Sequence, residues 1–138
     1  MRTTVDVVLD ASAAVELLLA SALGGDVDRA LGRDPAIHVP ELFAVEVLAA
    51  IRGAERRKEL VAARAAAAVD DLLELPLIRW APSDELLRRA WELRAAVSTY
   101  DAMYLALAER LGAVLLTTDR RLAAAARART GVPTAPVA

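Results

Sequence analysis

No cysteine occurs among the 138 residues. That absence removes disulfides, thiolate metal sites and a thiol nucleophile together. Histidine is almost as scarce. His38 stands alone, so neither a Ser-His-Asp triad nor a histidine-built zinc site can be assembled; it reads as a strand or loop residue. Aromatic side chains make up 4% of the chain, and Trp80, Trp91, Tyr104 and Met103 read as core residues rather than as a base-stacking platform. There is no glycine-rich phosphate loop, no internal repeat and no low-complexity linker. No apolar run is long enough to cross a bilayer. Arg2, the apolar stretch after it and Ala20-Ser21-Ala22 imitate a secretory leader, but Asp6, Asp10 and Glu16 interrupt what would be its apolar centre. The expected location is the cytoplasm.

Net charge is small too, at −2 with a pI near 5.4. This argues against a protein that simply coats nucleic acid. It leaves a nuclease open, because acids clustered to hold a metal lower the total. Local basic runs remain at Arg52 with Arg56, Arg57 and Lys58, at Arg88-Arg89, and at Arg120-Arg121 with Arg127 and Arg129. Such runs are read first as solvated helix faces. What is plentiful is small apolar side chain: 57% of residues are hydrophobic, many of them alanine. One domain over residues 1–138 fits this length, burying about two-thirds of its unfolded surface. Surplus alanine also suits a surface covered by a partner.

Apolar patterning sets an α/β rhythm. Val5 to Leu9 forms a first strand ending at Asp10, and a helix from there carries Val15, Leu18 and Leu19 inward until Gly24-Gly25 breaks it. A short helix over 26–31 and the Asp34-Pro35 turn lead to a strand at Ile37-His38-Val39. Helices over about 41–52 and 58–74 follow, then a strand at Leu77-Ile78-Arg79-Trp80. Ser83 caps a helix that carries Leu86, Leu87, Ala90 and Leu93 inward, with Asp84 and Glu85 favouring its dipole. Asp101 opens an apolar-periodic helix that stops at Gly112. Ala113-Val114-Leu115-Leu116 is a buried strand, and a last helix covers 119–129. A final edge strand over 132–137 is weakened by Pro133 and Pro136. Strands and helices in alternation predict a parallel sheet of four to five strands.

Chemistry in such sheets collects beyond the carboxyl ends of the strands. Asp10 and Asp119 fall there, and Asp101 falls in the first turn of a helix. Glu46 sits mid-helix among Leu42, Phe43, Ala49 and Ala50, a place that caps and solvent do not explain. Burying such an acid unpaired costs several kcal/mol, which a bound cation would offset. Four carboxylates suit Mg²⁺ or Mn²⁺, which prefer hard oxygen ligands. Each acid also has a plain alternative. Asp10 and Asp119 serve equally as helix caps, Ser98 with Asp101 forms a capping box, and Ser12 and Thr117 are either local caps or supports for the acids.

These residues carry a family resemblance. The blocks VVLDASAAVELLL, HVPELFAVEVLAAI and STYDAMYLALAERLGAVLLTTDRRL resemble PIN-domain ribonucleases, and among them the VapC-type toxins of bacterial toxin–antitoxin pairs. The resemblance spans almost the whole chain and is poorest after Arg129. It implies a three-layer α/β/α sandwich around a parallel sheet, and a Mg²⁺ or Mn²⁺ site of Asp10, Glu46, Asp101 and Asp119 with Thr117 nearby. It implies cleavage of single-stranded or loop RNA, a cognate VapB-type antitoxin and a homodimer, with no membrane. The expected activity is hydrolysis of an RNA phosphodiester by a metal-activated water, with Arg120 and Arg121 steering phosphate. Two rivals stand beside it. A haloacid dehalogenase-like phosphatase also uses strand-end aspartates, but Ser12 occupies the second position of its Asp-x-Asp. An inactive PIN-like module would only bind RNA or protein.

Overall fold

A computed structural model describes residues 5–136. Its central strand is β1 (Val5–Leu9), and the order of strands around it decides where a site can form. Strands β2 (Pro35–Pro40), β3 (Leu77–Trp80), β4 (Val114–Leu116) and β5 (Thr134–Ala135) complete a sheet ordered β3-β2-β1-β4-β5, with every pairing parallel. The helices are α1 (Ala11–Leu18), α2 (Ala22–Leu31), α3 (Phe43–Arg56), α4 (Ala62–Glu74), α5 (Asp84–Glu92), α6 (Thr99–Leu111) and α7 (Arg120–Arg129). The chain steps from β1 to β2 to β3 in one direction, then returns to β4 and continues to β5 in the other. Right-handed crossovers therefore place α1 to α4 on one face and α5 to α7 on the opposite face. Packing agrees: α1 lies against α2, α3 and α4, while α6 lies against α5 and along β1, β2 and β4. The three-layer α/β/α sandwich expected from the sequence is formed. Its reversal of strand order falls between β1 and β4, the place where sheets of this kind commonly bind ligands beyond the strand ends.

The core is built on β1 and α6. Val7, Val8 and Leu9 are buried, as are Leu115 and Leu116 on β4. Every residue of α6 from Ala102 to Ala108 is buried, the signature of a helix enclosed on all sides. Its ends are marked by chemistry. The Ser98 hydroxyl accepts the Asp101 amide at 3.2 Å, so the helix begins at Thr99, slightly before Asp101, and Gly112 ends it in the left-handed region at φ 62. His38, buried on β2, accepts a hydrogen bond at Nδ1 from Trp80 Nε1 (3.0 Å). Nε2 therefore carries the proton and donates to Asp6 (2.8 Å).

Other sequence expectations are corrected. Gly24-Gly25 does not break a helix; both lie inside α2. The break falls earlier, where Ala20 adopts φ 54 and the Ser21 hydroxyl accepts the Gly24 amide. Gly24 is required by packing instead, since a Cβ there would lie 2.2 Å from the Glu16 carbonyl oxygen of α1. At Gly25 a Cβ would meet only the Arg29 side chain, at 3.6 Å. Gly24→Ala should accordingly lower stability by about 1–3 kcal/mol, and Gly25→Ala should raise it by about 0.5–1 kcal/mol, both read from denaturant unfolding.

Helix α3 continues to Arg56, and Lys58 at φ 62 separates it from α4, which starts at Ala62. Leu87 and Trp91 do not enter the core. They are 47% and 67% exposed, and the Arg94 guanidinium stacks 4.3 Å from the Trp91 ring centroid. The final strand forms but shrinks to Thr134–Ala135 between two prolines, and Val137 lies outside the described residues. Among the described residues, no helix is long and apolar enough to cross a membrane.

Candidate active site

Asp10 leaves β1 at the switch point, its amide bonded to the Leu116 carbonyl at 2.9 Å. It occupies the N-cap position of α1 but makes no capping bond with its side chain, so the plain alternative fails here. Oδ2 instead accepts protons from two hydroxyls, Ser12 Oγ at 2.6 Å and Thr117 Oγ1 at 2.8 Å. Those hydroxyls are oriented from behind. Ser12 Oγ accepts the Thr118 amide at 3.2 Å, and Thr117 Oγ1 accepts the Asp119 amide at 3.0 Å. A hydroxyl has one proton to give, so each amide fixes its hydroxyl toward Asp10. The Thr117 amide is in turn held by the Ala135 carbonyl (3.1 Å), which gives the two-residue strand β5 a part in shaping the site. Ser12 orients an acid and is not one itself, so the second acid of the phosphatase rival is missing.

The other three acids arrive from separate elements. Glu46, in the first turns of α3, is half-buried and accepts the Tyr104 hydroxyl at Oε1 (2.8 Å). Its apolar surroundings are one-sided, because Phe43 is buried while Ala49 and Ala50 are exposed. Asp101 is half-buried in the first turn of α6. Asp119 does cap α7, accepting the Arg121 and Leu122 amides at Oδ1 (2.9 and 3.2 Å). That leaves Oδ2 for other work. Arg120 and Arg121 follow directly in the first turn of α7, both exposed.

Electrostatics show that these acids share one neighbourhood. Burial is the largest cause raising the Asp10 pKa, opposed by the Ser12 and Thr117 hydroxyls, and the charge of Asp119 raises it further. Burial also raises Glu46 first; Tyr104 lowers it, and Asp10 and Asp101 push it up again. Asp101 is raised by burial, then by Asp10 and Asp119, with Ser98 opposing. The Tyr104 phenol is held far above its ordinary value by burial and then by Glu46, so it stays protonated and keeps a proton to donate to Glu46. Among the described residues, no three His, Cys, Asp or Glu side chains are gathered closely enough to hold a metal ion as they stand. Like charges resist closer approach. An all-oxygen set of acids raised by burial and mutual repulsion is one that a hard divalent cation would relieve.

Tyr104 is the participant that sequence patterning misses. An aromatic inside an apolar helix reads as core, which it is, at 0% exposure. Its spacing of three residues from Asp101, which sets both on one helix face, is the only local signal.

Comparison with known proteins places this arrangement. The sequence pattern of the PIN domain matches residues 7–128. The chain is 44% identical over 117 residues to Ribonuclease VapC12 of Mycobacterium tuberculosis, covering 85% of this chain and 89% of that protein. It is 42% identical over 119 residues to Ribonuclease VapC3 of the same organism, covering 86% of each. The crystal structure of PAE2754 from Pyrobaculum aerophilum superposes with a TM-score of 0.68 at 29% identity, covering 94% of this chain and 83% of that one. Sequence match and fold agree: the chain belongs to the PIN domain family, among its VapC-type members.

Proposed function

We propose that the protein is a metal-dependent endoribonuclease that acts as the toxin of a toxin–antitoxin pair. The observation that carries this is the electrostatic burden shared by Asp10, Glu46 and Asp101, with the charge of Asp119 adding to it at Asp10 and Asp101. Held by Asp10, Glu46 and Asp101 with Asp119 completing the set, Mg²⁺ or Mn²⁺ would supply Lewis acidity toward a phosphate oxygen and a more acidic water. Ser12 and Thr117 keep Asp10 aimed by occupying its Oδ2. Asp119 keeps its position through the α7 amides. Arg120 and Arg121, exposed beside it, would draw the RNA backbone toward the acids, which otherwise repel it.

The relatives named as ribonucleases support RNA as the substrate. A cognate VapB-type antitoxin and a second copy of the chain are the proposed partners. Exposed Val45, Leu48 and Leu73 on α3 and α4 are consistent with surface that a partner covers. Sequencing of cellular RNA ends after induced expression is the direct test. New ends should appear at a restricted set of sites, and their absence would end the nuclease assignment. Arg121→Ala should weaken binding of single-stranded RNA by a cleavage-dead protein and reduce the salt dependence by about one phosphate contact. Fluorescence anisotropy across a salt series reads both.

A further inference from the structure

We propose that Tyr104 is a positioning residue for the catalytic carboxylates: its buried hydroxyl holds Glu46 Oε1 and thereby joins α3 to α6 across the mouth of the site. This rests on the metal-site assignment just made. Glu46 and Tyr104 are 58 residues apart in the chain and 2.8 Å apart in space. They belong to different layers. α3 packs with α1 and α4, whereas α6 packs with α5 and the strands. Few polar contacts could set the spacing between an acid on each layer, and this one does.

Tyr104 lies one helical turn beyond Asp101, so the helix that presents one acid also grips another. A half-buried glutamate has three side-chain torsions and no partner on its own helix among the described hydrogen bonds; left alone it would sample several rotamers. With Oε1 held by the phenol, the second oxygen is the one left to turn toward Asp10 and Asp101, the two acids whose charges it feels. The phenol cannot swing away, because the side chain has 0% exposure and is enclosed by the core. Groups that orient a ligand in this manner commonly change metal affinity about 10–100-fold when removed.

Tyr104→Phe keeps the ring and deletes only the hydroxyl, leaving Glu46 half-exposed and able to take water instead. Titration calorimetry with Mn²⁺, in the absence of RNA, should show affinity falling about tenfold in Tyr104→Phe. In a Glu46→Gln background the same substitution should cause no further loss, because the group it positions is no longer a charged ligand. Wild-type affinity in Tyr104→Phe would overturn the proposal alone. An equal loss in both backgrounds would also overturn it, since that is general loosening and not positioning. A wild-type protein that binds no Mn²⁺ would overturn the metal-site assignment together with it. Should Tyr104→Phe not fold, the fluorine resonance of Tyr104 in 3-fluorotyrosine-labelled wild-type chain decides. Movement on adding Mg²⁺ that vanishes in Glu46→Gln supports the role, and a static resonance overturns it.

Discussion

Asp10→Asn should abolish RNA cleavage while leaving the metal-free protein at least as stable as the wild type. The two halves of this result have one cause. Asp10 is 4% exposed, and burial raises its pKa more than any other influence. A charge there is costly to the folded state and is kept for another purpose. Asparagine presents a carbonyl oxygen in the place of Oδ2, able to accept both the Ser12 and the Thr117 protons, now at 2.6 and 2.8 Å. The local network therefore survives, the desolvation penalty falls, and repulsion from Asp119 disappears. What is lost is the negative charge of Asp10, which also acts on Glu46 and Asp101. If that charge secures the ion, the lost stabilisation is several kcal/mol in the transition state, or roughly a thousandfold or more in rate. Single-turnover cleavage of a labelled RNA and a thermal melt in chelator are the two measurements. Activity within tenfold of wild type in the purified variant would remove Asp10 from the mechanism.

How much of this could be read in the chain depends on how local each signal is. Asp10 and Asp119 were visible because strand ends and helix starts are written in short apolar runs and their punctuation. Glu46 was visible as an acid on the inward side of a helix, though the structure makes that side narrower than the pattern suggested, with Ala49 and Ala50 in solvent. The order of the strands was not legible, and so the meeting of β1 and β4 was not either. Gly24 misled because glycine in sequence signals a break, whereas here it admits the Glu16 carbonyl of a crossing helix. Trp91 misled for the opposite reason: a large aromatic usually seeks the core, but on α5 it found the Arg94 guanidinium at the surface. The Tyr104 contact with Glu46 lies beyond any local pattern. Its partner is on another layer, and only the assembled fold brings the two together.

Divalent metal and pH should act on stability with opposite signs in the two forms of the protein. In metal-free protein the Asp10 pKa is raised above its unfolded value, chiefly by burial. Between the unfolded and the folded pKa, the folded state therefore holds more protons than the unfolded one. Stability must then fall as pH rises through that window, and the penalty persists above it. Glu46 and Asp101 shift the same way, again with burial first, and add to the trend. Other groups also titrate over the range, so the informative quantity is wild type minus Asp10→Asn. That difference in melting temperature should grow less favourable to the wild type as pH rises from the ordinary carboxylate range upward.

With Mn²⁺ the sign reverses. An ion held as proposed would need these acids deprotonated, so rising pH would strengthen its hold and stabilise the folded form. At an ion concentration near 100 times Kd the gain is about 2.7 kcal/mol, or roughly ten degrees in a domain of this size. Asp10→Asn should lose most of that gain. A wild-type melt that ignores Mn²⁺ at neutral pH, or a metal-free difference that grows in favour of the wild type as pH rises, would mean that the acids are balanced by something other than a divalent ion.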